Sequence, residues 1–195
     1  MGKTVSQLVN DGILHPLCEK IFQKDGKSFQ LYHHQEKAIH TAAKKEHYIL
    51  TTGTGSGKSL TYLIPIIDNI LKNNPEPEQT RALIVYPMNA LINSQEKEIK
   101  WLLNNLGEGN RPIRFGRYTG QEKEEEKTQV QQHPPHILLT NYVMLELMMS
   151  RPREFVFLDH TLANLEFLVL DELHTYTGRQ GADVSACTTC TPEVR

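Results

Sequence analysis

The sequence predicts an α/β fold in which helices cover both faces of a mostly parallel sheet. Short apolar runs typical of buried strands occur at residues 47–51, 82–86, 113–118, 137–140 and 167–170. Segments with the helical spacing of apolar residues separate these runs. Strands that are apolar throughout and alternate with helices are typical of parallel sheets that are buried on both sides.

Two helical patterns precede the first predicted strand. Residues 5–22 show loose helical spacing that is interrupted near Pro16, and a second pattern covers residues 31–42. Because proline has no backbone N–H and fixes φ, the interruption at Pro16 predicts a break in the first helix. The change from helical to strand-like spacing near residue 47 predicts the start of the sheet.

The later helices follow the predicted strands in turn. One helix is predicted from Lys58 to about residue 71, and a longer one carries its apolar face from Leu91 to Leu106. Residues 122–127 are interpreted as the solvated start of a helix, and residues 143–149 form the next one. Asparagine, proline and glutamate predict a surface loop over residues 73–78.

Composition limits the class of protein. The chain of 195 residues has a net charge of -2, so contacts with nucleic acid require a local patch or backbone amides, because the surface as a whole is not basic. Neither a membrane-spanning apolar run nor a signal peptide is expected. Three cysteines do not form a disulfide framework, which favours a reducing cytoplasm. Cys187 and Cys190 are either half of a zinc site or, with no second pair following, ordinary thiols.

The strongest local pattern is a glycine-rich loop at residues 52–59, between a predicted strand and a predicted helix. Its proposed cofactor-binding residues are Thr54, Gly55, Ser56, Gly57, Lys58 and Ser59. The glycines let successive N–H groups point at phosphates, and the following helix directs its positive end at the same anion. Lys58 is expected to reach the β- and γ-phosphates of ATP, and Ser59 to bind Mg²⁺. Thr52 stands where the general pattern has glycine.

Two acids, Asp171 and Glu172, close the last predicted strand. At the carboxyl end of a strand they lie at the edge of the sheet where ligands bind in open α/β folds. Asp171 is expected to hold Mg²⁺ together with Ser59, and Glu172 to orient and deprotonate the attacking water. The alternative is that Asp171 only caps the next helix. Loop and acids together predict an ATPase site in which Lys58, Asp171 and Glu172 are catalytic.

These patterns resemble the motifs of the superfamily-2 DEAD/DEAH-box helicases over about residues 29–186. Residues 171–174, Asp-Glu-Leu-His, are similar to the DExH form of their second motif, which implies a catalytic role for His174. Gln35 resembles the glutamine that reads adenine, although it could instead be a polar residue on the wet side of a helix. The implied nucleic-acid-binding residues are Pro87, Asn89, Ala90, Thr119, Gly120, Thr140 and Asn141. Met88 and Asn89 replace the family's threonine and arginine, which removes a charged phosphate contact.

The resemblance implies a P-loop NTPase of the RecA-like type, a three-layer sandwich with ATP and Mg²⁺ as cofactors. It implies single-stranded nucleic acid as partner, DNA in preference to RNA, and a bacterial and archaeal subgroup of DNA helicases with a cysteine-rich C-terminal region. The expected organisation is an N-terminal helical extension at 1–28, the ATP-binding domain at 29–186 and an irregular tail at 187–195. The family's second RecA-like lobe, supplied in cis or in trans, is expected to be missing from this chain.

Two other readings remain open on the sequence alone. A different P-loop NTPase would account for the loop but not for residues 87–91, Thr119 or Thr140. A non-catalytic remnant that binds nucleotide would account for a chain without the second lobe. Because an arginine finger contributes about 10³–10⁵ in rate, little ATP hydrolysis is expected from this chain alone.

Overall fold

The computed structural model describes residues 1–53, 55–73, 78–107 and 112–175, except for the side chains of residues 153 and 174. These residues form two compact units. The described residues among Met1–Asn74 and Ile99–Pro112 are called the amino-terminal unit, and those among Pro75–Glu98 and Ile113–Arg195 the sheet unit. Thr54, residues 176–195 and therefore Cys187 and Cys190 lie outside the described residues.

The amino-terminal unit is built from helices and one small hairpin. They are α1 (Val5–Asn10), α2 (Pro16–Ile21), β1 (Gln23–Lys24), β2 (Lys27–Ser28), α3 (His33–Ala43) and α4 (Lys58–Asn73). Thr4 caps α1 by accepting the backbone N–H of Gln7. Pro16 begins α2, where its missing N–H costs nothing. Asp25 and Gly26 connect β1 and β2 with φ of 52° and 74°, as a two-residue hairpin turn requires.

The buried carboxylate of Asp68 joins α2 to α4. One of its oxygens accepts the backbone N–H of His15 at 2.6 Å, and the other lies 2.8 Å from Nζ of Lys72. The Cys18 thiol is buried beside it, with Sγ 3.9 Å from Asp68 Oδ1. Burial raises the pKa of the Cys18 thiol, and the negative charge of Asp68 raises it further. The first two helices are therefore packed into the same unit as the helix that follows the glycine-rich loop.

The sheet unit contains a four-stranded sheet with the order β4-β5-β3-β6, in which every pairing is parallel. Its strands are β3 (Ala82–Tyr86), β4 (Phe115–Tyr118), β5 (Ile137–Asn141) and β6 (Phe167–Leu170). Every residue of the central strands β3 and β5 is buried, whereas those of the edge strand β6 are half-buried. Burial on both faces explains why the central strands are apolar throughout.

The helices of this part of the chain follow the strands. They are α5 (Asn89–Asn104), α6 (Glu124–Gln132), α7 (Tyr142–Ser150) and α8 (Pro152–Ala163), followed by a 3₁₀ turn at Leu173–Thr175. The first residues of α5 belong to the sheet unit, and its last residues to the amino-terminal unit. Over the described part of the chain, no helix combines the length and the apolar character needed to cross a membrane.

The core of the sheet unit lies between the sheet and helices α7 and α8. Its buried members include Leu83, Val85, Tyr118, Leu138, Met144, Leu145, Met148, Phe157 and Leu158. The rings of Tyr118 and Phe157 pack at a centroid distance of 4.9 Å and are tilted by 46°. Each fully buried Leu, Met or Phe contributes about 1.5–3 kcal/mol of transfer free energy, so this cluster fixes β4 against α8.

The strands predicted over residues 82–86, 113–118, 137–140 and 167–170 are confirmed, the second beginning at Phe115. The strand predicted over residues 47–51 is wrong: the described residues there pair with no strand. Ile49 is 79% exposed, and Tyr48 uses its hydroxyl to bind the carbonyl of Thr61 at 2.7 Å. Strand propensity depends on packing against neighbouring strands, and none of the described strands pairs with this segment.

Candidate functional site

The glycine-rich loop has two glycines with positive φ and leads directly into a helix. Gly55 and Gly57 adopt φ of 78° and 67°, which side-chain-bearing residues rarely do. Helix α4 begins directly after them, with Lys58 as its first residue and Ser59 as its second. The first turn of α4 carries no acidic residue, so no local carboxylate opposes the positive end of the helix dipole. Helix starts of this kind bind anions in other proteins through backbone N–H groups, and anion binding here stays a prediction.

Helix α3 holds this loop through the loop's carbonyl oxygens. Gln35 donates from Nε2 to the carbonyl of Gly57 at 2.9 Å, and a ring nitrogen of His34 lies 3.1 Å from the carbonyl of Ser56. Thr52 and Ser56 join their hydroxyls at 2.7 Å. A Cβ at position 57 would lie 2.6 Å from Gln35 Nε2, so only glycine fits this contact.

Gln35 is 2% exposed, and the alternative that it faces solvent is therefore wrong. Its Oε1 accepts the backbone N–H of Tyr32 at 2.8 Å while its Nε2 binds the loop. The side-chain amide thus links the start of α3 to the loop. A role for Gln35 in adenine binding stays a prediction.

The second group of predicted residues lies at the carboxyl edge of the sheet. The parallel register places Tyr86 opposite Asn141, Tyr118 opposite Thr140, and Val85 opposite Leu170. The residues that follow these strands, among them Pro87, Thr119 and Asp171, therefore emerge along one edge, with Asn141 at the end of β5. The sheet alone thus brings together the residues predicted from separate motifs.

Asparagine side chains connect two of the strand ends. Asn141 donates from Nδ2 to Oδ1 of Asn89 at 2.6 Å, and its own Oδ1 accepts the N–H of Met144 at 2.7 Å, which caps α7. Asn141 is 9% exposed. Ala90, in the first turn of α5, is exposed. Asn141 therefore fixes the start of α5 against the start of α7.

The two predicted threonines at this edge use their hydroxyls inside the protein. Thr140 is buried and donates to the carbonyl of Tyr118 at 2.7 Å. Thr119 is 1% exposed; its N–H lies 2.6 Å from Glu122, and its hydroxyl lies 2.8 Å and 2.9 Å from the two oxygens of the same carboxylate. Gly120, next to Thr119, is exposed. The side chains of both threonines thus have partners within the sheet unit.

The acid pair follows β6 in a constrained turn. Asp171 donates its N–H to the carbonyl of Val85 at 3.0 Å, which extends the ladder by one residue. Glu172 adopts φ of 50°, an uncommon value for a residue with a side chain, and donates its N–H to Asp171 Oδ1 at 2.9 Å. Thr175 binds the Glu172 carbonyl with its N–H at 2.8 Å and with its hydroxyl at 2.9 Å. The side chain of His174 lies outside the described residues.

Within the described ranges, no cluster of three or more His, Cys, Asp or Glu side chains could hold a metal ion by itself. Ser59 and Asp171 each offer oxygen, the ligand atom that Mg²⁺ prefers, so the residue types are compatible with the predicted metal role. The roles predicted for Lys58, Ser59, Asp171, Glu172 and His174 stay predictions.

Three residues with roles at these sites were not predicted from the sequence. His34 contacts the glycine-rich loop, Glu122 accepts the N–H of Thr119, and Arg117 lies 3.4 Å from the Glu122 carboxylate. His34 adjoins Gln35, which was a usable signal. Thr119 stands three residues before Glu122, which is the spacing of a capping box. This spacing was a second usable signal. The sequence offers no comparable signal for Arg117, because only the fold brings it to Glu122.

Comparisons with known proteins agree with this geometry. The sequence profile of the DEAD/DEAH box helicase family matches residues 32–195. An uncharacterised ATP-dependent helicase of Methanocaldococcus jannaschii, MJ1574, is 32% identical over 167 residues, which cover 82% of this chain and 23% of that protein. The ATP-dependent helicase HRQ1 of Saccharomyces cerevisiae is 31% identical over 175 residues, covering 89% of this chain and 15% of that protein.

A solved structure extends the agreement to three dimensions. The DUF1998 helicase MrfA, crystallised with DNA, superimposes with a TM-score of 0.71 and 29% identity. The match covers 85% of this chain and 21% of that one. The predicted RecA-like α/β fold with a mostly parallel sheet is thereby confirmed, as is the resemblance to helicases.

Proposed function

Since the chain belongs to the DEAD/DEAH box helicase family, we propose that it acts as the N-terminal lobe of an ATP-dependent helicase, binding ATP and single-stranded nucleic acid. The observation that carries the ATP-binding part is the backbone of the glycine-rich loop. Gly55 and Gly57 have positive φ, and Lys58 and Ser59 begin the helix that follows at once. The family membership favours this reading over another class of P-loop NTPase.

The nucleotide roles follow the chemistry of these residues. Backbone N–H groups of the loop and the start of α4 bind the phosphates, and Lys58 neutralises charge on the β- and γ-phosphates. Ser59 and Asp171 would each supply an oxygen ligand to Mg²⁺, and the metal would supply positive charge to the phosphates. Glu172 orients the attacking water and accepts its proton, and His174 belongs to the same motif.

The nucleic-acid roles rest on the strand ends of the sheet unit. Exposed Ala90 and Gly120 offer backbone groups there, and Pro87 and Asn89 shape the start of α5. Contacts of this kind position a strand without reading its sequence. That MrfA was solved with DNA supports DNA over RNA as the partner, and supports the narrower assignment to the DNA-helicase subgroup.

Unwinding is proposed for the whole helicase and not for this chain. The chain spans 23% and 15% of the length of the two curated relatives. An arginine supplied by a second lobe contributes about 10³–10⁵ in rate, so the chain by itself is proposed to hydrolyse ATP slowly. Its proposed location is the cytoplasm. Nucleotide binding without turnover, even after a second lobe is added in trans, would instead identify a non-catalytic remnant.

The ATP-binding part is tested by measuring the affinity of a fluorescent ATP analogue with Mg²⁺. Lys58→Ala is expected to weaken binding by at least about tenfold, the loss of one charge-assisted hydrogen bond of about 1.5 kcal/mol or more. Lys100→Ala removes the same charge from an exposed position of α5 and serves as the control. Equal affinity of the Lys58→Ala variant and the parent chain would overturn the proposal.

A further inference from the structure

One carboxylate at the carboxyl edge of the sheet is held as an anionic ligand would be. Glu122 lies 2.6 Å from the N–H of Thr119 and within 2.9 Å of its hydroxyl. Nε of Arg117 lies 3.4 Å from the same carboxylate. A backbone N–H, a hydroxyl and a guanidinium are the groups that proteins use to bind the phosphates of nucleic acids.

Glu122 is held inside while its acidic neighbours are not. Its side chain is 5% exposed, whereas Glu124, Glu125 and Glu126 in the first turn of α6 are exposed. The local turn accounts for the hydrogen bond that the Thr119 N–H donates to Glu122, but such a turn does not require an arginine. The guanidinium of Arg117 therefore marks a site for negative charge and not only a turn.

Arg117 is fixed from its other side as well. Its Nη1 donates to Oδ1 of Asn93 at 2.7 Å and lies 3.2 Å from Glu96. Arg117, Glu96 and Glu122 line one open cleft of about 460 Å³ beside β4, so the guanidinium and the carboxylate beside it border space that is open to solvent. The planar guanidinium matches a phosphate as well as a carboxylate, because both present two oxygens to it.

We propose that Arg117 and Thr119 form a phosphate-binding subsite for a single strand, and that Glu122 fills this subsite as an internal anion until a strand phosphate displaces it. The inference rests on the proposed function, since it assumes that strands bind at this edge. Arg117 is then an additional binding residue, and Glu122 lowers the affinity of the protein for the strand. The carboxylate and the phosphate compete for the same three donors, so removal of the carboxylate charge favours the strand.

The test measures binding of a fluorescein-labelled oligothymidylate to the 195-residue chain by anisotropy, over a series of salt concentrations. Glu122→Gln is expected to bind about fivefold more tightly, as for the loss of one charge that competes near a protein surface. The slope of log K against log salt is expected to stay unchanged, because the strand phosphate contacts Arg117 in both proteins. Adding Arg117→Gln to Glu122→Gln is expected to abolish the gain in affinity and to reduce the slope by about 0.7, the value for one phosphate contact on a single strand.

Glu125→Gln is the matched control, because it removes the same charge from an exposed position three residues away. It is expected to change affinity by less than about twofold. Equal gains in Glu122→Gln and Glu125→Gln, or no gain in Glu122→Gln, overturn the subsite while leaving strand binding intact. Absence of binding by the parent chain and by Glu122→Gln overturns the strand-binding function and this inference together.

A second measurement needs no variant. In NMR spectra of the parent chain at saturating oligothymidylate, the backbone amide chemical shift of Thr119 is expected to change, because its N–H exchanges a carboxylate for a phosphate. An unchanged Thr119 amide, while anisotropy reports saturation, also overturns the subsite.

Discussion

The glycine-rich loop and the strand ends of the sheet were both predicted from short motifs. They differ in whether backbone atoms or side-chain atoms are the predicted binding groups. In the loop, the predicted site consists of glycine backbone, and the bonds from Gln35 and His34 go to carbonyl oxygens, not to N–H groups. At the strand ends, the predicted side chains of Thr119, Thr140 and Asn141 are buried and bonded within the protein. Residue type in a motif thus indicates backbone conformation, as at Gly57, more directly than the direction in which a side chain points.

The largest expected effect breaks the loop itself. Gly57→Ala places a Cβ 2.6 Å from Gln35 Nε2 at a φ of 67°, which costs about 1–3 kcal/mol of backbone strain and displaces the Gln35 contact. Affinity for a fluorescent ATP analogue is expected to fall by more than about tenfold. Gly12→Ala is the control, since Gly12 has φ of 73° with open space around it. It should lower the unfolding temperature and keep nucleotide affinity.

A smaller effect, on stability and not on strand affinity, is expected at the strand ends. Thr140→Val keeps the shape of the side chain and removes its bond to the Tyr118 carbonyl, so the free energy of unfolding should fall by about 1 kcal/mol. Because this hydroxyl is buried, oligothymidylate affinity should stay within about twofold of the parent value. Urea unfolding and anisotropy measure the two quantities. A large loss of affinity with unchanged stability would show that Thr140 contacts the strand directly, as its motif implies.

The smallest effect concerns the support of the loop. His34→Ala removes one ring contact to the Ser56 carbonyl, and nucleotide affinity is expected to fall about threefold, the order of one neutral hydrogen bond. His40→Ala, in the last turn of the same helix, should leave affinity unchanged. Indistinguishable affinities for His34→Ala and His40→Ala would mean that the loop keeps its shape without His34.

The sequence predicts much of the fold because buried strands and helix starts are local signals. Val85 and Leu139 lie in runs that have no reason to be apolar except burial, and both runs are central strands. Residues 47–51 have a similar composition, yet Ile49 is exposed, because pairing depends on neighbours that composition cannot reveal. Helix α8, which begins at Pro152, was not predicted.

The same limit applies to the candidate sites: features that depend on local sequence could be predicted, and contacts between neighbouring segments could not. Gly57 could be identified because glycine is the residue type that readily adopts the positive φ found at this position. The contact of Thr119 with Glu122, and of Glu122 with Arg117, depends on the path of the chain after β4, and no residue type fixes that path. Exposed Gly120 lies next to a threonine that is almost completely buried.

The bond from Asp68 to the His15 N–H has a consequence for variation among related sequences. Every residue except proline offers that N–H, so position 15 can vary widely without losing the contact. Position 68, by contrast, must keep a side chain that accepts a hydrogen bond. A collection of homologous sequences should therefore show restriction at position 68 with no co-varying partner at position 15, and pairwise sequence coupling would miss a contact that holds the amino-terminal helices in place.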